Sequence, residues 1–261
     1  MTAVSAKDPV QLSLQDEIAT LTINRPHAEN ALTPRSIDTI SLMLEALEAD
    51  GEIKVLILEG AGANFCAGED LTESEGIDDP EMARHFRART AKLMQRISAY
   101  PKIVIAKVRG AAHGLGLDMV LGADLAFASH DASFGTPTQG NGSSQWTSMV
   151  PLSRSVGQKH ALRMLLGGAP VPAAEAASMG LISQAVAAEA LDDTVTRIAK
   201  SIATTAPHLI RLAKQDYQRQ LTMTVEDAYA FAIEGGAGPR SPGNSGFRPS
   251  RQVAAAIPLD E

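Results

Sequence analysis

The chain has 261 residues, of which 44% are hydrophobic, 20% charged and 4% aromatic, a composition within the range of globular proteins with a buried core. Thirty acidic residues outweigh 23 basic ones, and the formal charge of −7 argues against a protein that binds nucleic acid or anionic lipid through a basic surface. A single cysteine, Cys66, excludes an internal disulfide framework and a zinc site built from several cysteines.

The N-terminal part of the chain predicts a hairpin followed by a strand–helix–strand unit. Residues 10–24 alternate apolar and polar side chains around an acidic turn, which is typical of two antiparallel strands. Thr33 and Pro34 form a helix start, with Thr at the N-cap and Pro at the first helical position. Residues 54–59 predict a short strand whose four central residues are all apolar, the kind of run that is buried in a parallel sheet.

The same alternation of helix and strand continues through the middle of the chain. Asp79 and Pro80 repeat the helix-start signature, and residues 103–108 predict a second buried strand. Residues 110–124 read as a glycine-punctuated helix start. Two further strand-like segments follow at residues 125–129 and 132–135. The body is therefore predicted to be α/β.

The C-terminal part predicts mostly helices after a polar stretch at residues 140–148. The predicted helices cover residues 155–166, 173–179, 191–205, 207–220 and 225–234. Residues 235–249 are rich in Gly and Pro and predict a loop. We divide the chain into a core over residues 1–190 and a helical C-terminal region with a Gly/Pro-rich tail over residues 191–261.

Two glycine-bracketed turns, at residues 65–71 and 113–118, each follow a buried strand. Turns of this kind can aim backbone N–H groups at one point, where they would stabilise negative charge on a carbonyl oxygen. The glycines could equally serve only to allow tight turns. A dinucleotide-binding loop is disfavoured, because Met119 stands where the third glycine of G-x-G-x-x-G is required.

Five segments in order and spacing resemble the crotonase superfamily, also called the enoyl-CoA hydratase/isomerase family. They are LTINRPHAENALT (residues 21–33), NFCAGEDL (64–71), KVRGAAHGLGLDMVLGADLAFAS (107–129), ASFGTP (132–137) and AAEAASMGLISQAV (173–186). The resemblance implies a spiral of ββα units with C-terminal helices that mediate trimerisation, often as a dimer of trimers. It also implies an acyl-CoA thioester substrate.

The resemblance places the two oxyanion-hole donors on the backbone N–H groups of Glu69 and Leu115. Leu115 departs from the glycine common in the family, but any residue other than proline supplies an N–H. Asp70 matches a family aspartate that is expected to cap the following turn. The residues that form the predicted binding turns around the donors are Ala67, Gly68, Asp70 and Gly114.

The acid–base positions depart from the family pattern. Hydratases of the family use two glutamates, and the matching positions here hold Asp118 and Thr138. Thr138 cannot act as a carboxylate base, so we expect Asp118 to be the principal acid–base group. The alternative for Asp118 is an aspartate that only stabilises the first turn of its helix through the helix dipole. His113 and the Glu69 side chain are further candidates, although each could be a packing or surface residue. Trp146, the only tryptophan, could line an acyl pocket or belong to the core.

Enoyl-CoA hydration is the function that the resemblance favours. Isomerisation, decarboxylation or C–C hydrolysis with one carboxylate or with His113 are alternatives, as is a non-catalytic acyl-CoA-binding or structural subunit. No Asp or Glu lies between Asp131 and Glu175, which disfavours the family's dehalogenases and dienoyl-CoA isomerases, because both need a carboxylate there.

We expect no metal and no cofactor, since coenzyme A arrives as part of the substrate. Residues 1–9 lack an apolar signal core, and no apolar run reaches 18 residues. A cytoplasmic protein without a membrane partner is therefore expected.

Overall fold

The computed structural model describes residues 8–70, 79–136, 143–167 and 169–235. The strands in this part of the chain are β1 (Val10–Gln15), β2 (Ile18–Ile23), β3 (Val55–Gly60), β4 (Ile103–Val108), β5 (Ala111–His113), β6 (Leu125–Ser129), β7 (Ser133–Gly135), β8 (Val171–Pro172) and β9 (Gln184–Val186). The α-helices are α1 (Pro34–Ala49), α2 (Pro80–Ser98), α3 (Leu115–Gly122), α4 (Ser143–Ser155), α5 (Gln158–Gly167), α6 (Ala173–Ser178), α7 (Leu191–Ala203), α8 (Pro207–Gln220) and α9 (Val225–Gly235). Within the described ranges, no helix is both long and apolar enough to cross a membrane.

The strands form two sheets, and the predicted α/β architecture is confirmed. The larger sheet has the order β1-β2-β3-β4-β6-β9, and only its β1–β2 pair is antiparallel. The smaller sheet has the order β5-β7-β8. Helices follow the parallel strands, because a parallel pair needs a crossover connection.

Strand β3 is buried on both faces, which explains its continuous apolar run. Leu56 and Leu58 belong to the main core, which α1 and α2 help to enclose. Val55 and Ile57 point to the other face of the sheet, where they pack in a second cluster with Val195 of α7. A strand covered on one face alone would alternate apolar and polar residues.

The two helix starts predicted from an N-cap residue followed by proline are confirmed. The Thr33 hydroxyl accepts a hydrogen bond from the Ser36 N–H at 3.1 Å, and Pro34 opens α1. The Asp79 carboxylate accepts from the Glu81 N–H at 2.9 Å at the start of α2. Each cap satisfies a backbone donor that has no partner inside its own helix.

Two predictions of local structure were wrong, and two short strands were not predicted. Residues 111–113 form β5 rather than part of a helix start, because Cys66 and β7 flank them with backbone hydrogen bonds. Helix α4 begins at Ser143, inside the polar stretch after which the first helix was predicted to start, at residue 155. Strands β8 and β9 were not predicted, because their two or three residues form a strand only through contacts with distant β7 and β6.

A buried ion pair holds α8 against the start of strands β4 and β6 of the larger sheet. The Lys214 ammonium lies 2.7 Å from Asp124 Oδ2, which also accepts a hydrogen bond from the Val104 N–H at 2.8 Å. The side chains of Lys214 and Asp124 are only 7% and 21% exposed. Burial raises the pKa of Asp124 and lowers the pKa of Lys214, and the attraction between the two groups opposes both shifts.

Replacing Lys214 by Met should lower the free energy of unfolding by about 3 kcal/mol, because Asp124 would be left as a buried charge without its cation. Loss of the ammonium raises the pKa of Asp124 further. The difference in the free energy of unfolding between variant and wild type should therefore shrink as the pH falls and the carboxylate is neutralised. Urea unfolding at several pH values measures this.

The exposed Lys200→Met is the matched control and should change stability by less than about 0.5 kcal/mol. The double variant Lys214→Met/Asp124→Asn should recover much of the loss, since an amide oxygen still accepts from the Val104 N–H. A Lys214→Met protein as stable as the wild type at neutral pH would contradict this account.

Candidate active site

The two glycine-bracketed turns lie against each other. The Cys66 N–H donates to the Ala111 carbonyl at 2.9 Å, and the His113 N–H donates to the Cys66 carbonyl at 2.9 Å. Gly68 has a φ of +115°, and a Cβ at that position would lie 3.3 Å from the His113 carbonyl oxygen. The turn that carries Glu69 is therefore packed on the chain that leads to Leu115.

The Glu69 N–H points away from the strand-like segment that contains Leu32. The Leu32 N–H donates to the Gly68 carbonyl at 2.7 Å, and the Asp70 N–H donates to the Leu32 carbonyl at 3.0 Å. In a trans peptide the C=O and the following N–H point in opposite directions. Because the Gly68 C=O is aimed at Leu32, the Glu69 N–H is aimed at the opposite side.

The Leu115 N–H points out of the N-terminus of α3. The Asp118 N–H donates to the Gly114 carbonyl at 3.0 Å, as in a regular first helical turn. The N–H of the same Gly114–Leu115 peptide therefore points in the opposite direction, out of the helix. The helix dipole makes this end favourable for negative charge.

Close packing between α3 and the first turn depends on Gly116. A Cβ at Gly116 would lie 2.3 Å from the Cys66 carbonyl oxygen, a distance that side-chain carbons do not tolerate. Only glycine lets the helix approach the turn this closely. The spacing of the two predicted donors is thus fixed by backbone contact.

Asp118 lies in the first turn of α3 and is 1% exposed. Its carboxylate is close enough to the Cys66 thiol to affect the thiol's ionisation. Burial, with a smaller contribution from Asp118, raises the pKa of Cys66 to about 12. Cys66 therefore stays a neutral thiol and is not a nucleophile. Asp118, the acid–base candidate from the sequence, is thus a buried carboxylate beside a buried thiol.

His113 takes part in a side-chain hydrogen bond next to the predicted donors. Its Nε2 lies 3.1 Å from the Ser133 hydroxyl on β7. Burial lowers the pKa of His113, and the nearby Glu29 carboxylate only partly opposes this shift. The imidazole is therefore neutral at pH 7 and half-buried. Glu69 also keeps part of its surface exposed.

The structure brings Glu69, Leu115, His113 and Asp118 to the neighbouring turns, whereas Thr138 lies outside the described residues. Nothing is described of the Trp146 side chain either. The turn that Asp70 was predicted to cap also lies outside the described residues. Across the part of the chain that is described, no cluster of His, Cys, Asp and Glu side chains could hold a metal ion.

Sequence reasoning missed the contacts of three polar residues beside the site. Arg25 is paired with Asp70, and the Asn30 side chain joins the loop before α1 to the loop after β3. The Glu29 carboxylate acts electrostatically on His113 and raises the pKa of its imidazole. These contacts could not be read from the sequence, because the partners are distant along the chain. The sequence showed only that all three residues lie in one of the segments that carry the resemblance.

Two backbone N–H groups on adjoining turns and a buried carboxylate one helical turn away suit one class of chemistry. A carbonyl oxygen between the two N–H groups would be stabilised as negative charge develops on it. Asp118 could exchange a proton with a neighbouring carbon or water. The arrangement fits reactions that pass through an enolate.

Comparison with known proteins identifies the family to which the chain is similar. The enoyl-CoA hydratase/isomerase family model matches residues 13–234. A mitochondrial enoyl-CoA hydratase domain-containing protein 3 from Rattus norvegicus is 34% identical over 84% of this chain and 73% of its own length. A short-chain-enoyl-CoA hydratase from Clostridium acetobutylicum is 33% identical over 86% of this chain and 87% of its own length. The crystal structure of human enoyl coenzyme A hydratase domain-containing protein 3 superimposes with a TM-score of 0.83 at 29% identity, over 88% of this chain and 90% of that one.

Proposed function

Because the chain belongs to the enoyl-CoA hydratase/isomerase family, the crotonase superfamily, we propose that it hydrates the double bond of a 2-enoyl-CoA thioester. One observation carries this proposal. The Gly68 C=O points towards Leu32, so the Glu69 N–H of the same peptide points the other way and is available as a backbone donor beside the start of α3. The relative from Clostridium acetobutylicum, a short-chain-enoyl-CoA hydratase, supports the choice of substrate.

In the proposed reaction the thioester oxygen lies between the N–H groups of Glu69 and Leu115. Water adds to C3 of the enoyl group, and the electrons of the double bond move towards the thioester to give an enolate whose oxygen the two N–H groups stabilise. Asp118 takes the proton from water and returns it to C2. One carboxylate therefore serves as base and then as acid.

Double-bond isomerisation is the second candidate, and the residue at position 138 favours it. Thr138 stands where the hydratases that this chain resembles carry their second glutamate. Moving a 3-enoyl double bond to the 2-position requires one group to remove a proton from C2 and return it to C4. Asp118 alone could perform both transfers.

Turnover of crotonyl-CoA and of a 3-enoyl-CoA by the purified protein tests both candidates. Loss of enoyl-thioester absorbance with crotonyl-CoA supports hydration, and its appearance with the 3-enoyl thioester supports isomerisation. Binding of coenzyme A esters without any turnover would contradict both and leave an acyl-CoA-binding role.

We also propose that the protein forms homotrimers or dimers of trimers. Helices α8 and α9 flank an apolar groove of about 640 Å³, and Val225, Tyr229 and Ile233 on α9 are each at least 70% exposed. Such a surface is typical of an interface rather than of the solvent-exposed face of a monomer. The number of subunits proposed, three or six, comes from the trimers that the family resemblance implies.

Sedimentation velocity should give about three or six times the mass of one chain. Val225→Asp/Tyr229→Asp should shift the protein to smaller species, because it introduces charges into the proposed interface. Leu42→Asp on α1, at a residue that is also exposed, is the control and should leave the mass unchanged. A wild-type protein that sediments as a monomer would contradict the proposal.

A further inference from the structure

Arg25 and Asp70 form an ion pair beside the turn that carries Glu69. Arg25 Nη1 lies 2.8 Å from Asp70 Oδ2, and the two side chains are only 12% and 7% exposed. The same nitrogen donates to the Ala31 carbonyl at 2.7 Å. One guanidinium nitrogen therefore contacts both Ala31, which precedes Leu32, and Asp70, which follows Glu69.

This position matters because the Leu32–Glu69 pairing sets the direction of the Glu69 N–H. The pairing consists of two backbone hydrogen bonds, from the Leu32 N–H to Gly68 and from the Asp70 N–H to Leu32. If the two segments move apart, the Gly68 carbonyl loses its backbone partner and keeps only the weaker, 3.7 Å hydrogen bond from the Cys66 thiol, so the Gly68–Glu69 peptide can rotate. The Glu69 N–H would then no longer be fixed.

The ion pair is well placed to hold the two segments together. Charge-assisted hydrogen bonds are stronger than neutral ones, and exclusion of water strengthens them further. Asn30 fixes the remainder of the Arg25 loop, because its amide accepts from the Arg25 N–H and donates to the carbonyls of Ala61 and Asn64. The Leu115 donor is held separately, through a bond from the Gly114 N–H to the Gly135 carbonyl.

We propose that Arg25 and Asp70 are positioning residues that fix the direction of the Glu69 N–H and thereby one of the two donors to the substrate carbonyl. This inference rests on the proposed function for its catalytic consequence. Neither side chain needs to touch the substrate. Disruption of the pair should weaken polarisation of the carbonyl more than it weakens binding of the coenzyme A portion.

Asp70→Asn tests the proposal, because it removes the charge with little change of shape. A donor that is misplaced by about 1 Å costs about 10²-fold in rate, so kcat for crotonyl-CoA should fall by between about tenfold and 10²-fold. The dissociation constant of free coenzyme A should stay within about threefold of the wild type. Asp38→Asn is the matched control, since it breaks an exposed Arg–Asp pair between α1 and α2.

The carbonyl stretch of bound butyryl-CoA, labelled with ¹³C at the thioester carbon, reports polarisation directly, because this saturated ester cannot be hydrated. Asp70→Asn should reduce the shift to lower frequency by about half, because one of two donors is lost. Amide exchange should accelerate by about tenfold or more at Leu32 and Asp70, whose N–H groups form the pairing, and stay unchanged at Gly114, whose N–H is bonded to the Gly135 carbonyl. Arg25→Lys, which keeps the charge but loses the planar donor group, should show the same pattern more weakly.

A full carbonyl shift and unchanged kcat in Asp70→Asn would overturn the proposal. Failure of both Asp70→Asn and Arg25→Lys to fold would also overturn it, because the pair would then serve stability alone. If the wild type neither polarises butyryl-CoA nor turns over an enoyl thioester, the proposed function fails instead. The exchange measurement would still report whether the ion pair orders the turn.

Discussion

Asp118→Asn is expected to lower kcat for crotonyl-CoA by about 10²- to 10⁴-fold, the usual contribution of a general acid–base group. The amide has nearly the same shape as the carboxylate but cannot accept a proton from water at neutral pH. Asp118 is almost fully buried in the first turn of α3, so bulk water is a poor substitute for it. Steady-state kinetics under saturating substrate measures the change.

Binding separates this effect from damage to the site. The dissociation constant of butyryl-CoA should remain within about threefold of the wild type, since the backbone donors are intact. Asp193→Asn on the exposed side of α7 is the matched control and should leave kcat unchanged. If Asp118→Asn retained the kcat of the wild type, the proton would have to be exchanged by another group, with His113 the next candidate.

Leu115→Pro should lower kcat by about 10²- to 10³-fold, the cost of losing one oxyanion-hole donor in another enzyme. Proline removes the backbone N–H but is well tolerated at the first position of a helix, which is where Leu115 lies. The substitution therefore removes the proposed donor while α3 can still form. Circular dichroism and thermal unfolding confirm the fold, and kinetics with crotonyl-CoA gives the loss.

Helix α5 provides a matched control for this substitution. Its first residue, Gln158, also follows a glycine, and the Ala161 N–H donates to the Gly157 carbonyl at 3.0 Å, as Asp118 does to Gly114. Gln158→Pro should leave kcat unchanged, because Gln158 is an exposed residue and is not one of the proposed site residues. A folded Leu115→Pro enzyme with unaltered kcat would mean that Leu115 is not a donor.

The sequence predicted those elements whose cause is local. The caps Thr33 and Asp79 act on residues two or three positions away, and the apolar run of β3 shows burial without knowledge of its neighbours. Strand β5 was missed because its identity as a strand is decided by hydrogen bonds to Cys66 and to β7. Local pattern cannot report such pairings.

In the candidate site, too, features within one short segment could be predicted from the sequence and contacts between distant segments could not. Asp118 could be proposed as an acid–base group because the family resemblance marks its position within one continuous motif. The Arg25–Asp70 pair could not, since 45 positions separate the two residues and only folding brings them together. Nor could the direction of the Glu69 N–H be deduced, because it follows from the bond between Gly68 and Leu32.

The donors proposed at Glu69 and Leu115 belong to the main chain, and this has a consequence for how such an enzyme can evolve. A codon change at either position alters the side chain but leaves the N–H in place, with proline as the exception. Selection can therefore alter these side chains to suit a new acyl group, and each intermediate sequence still polarises the carbonyl. Asp118 has no such freedom, because its chemistry lies in the side chain itself.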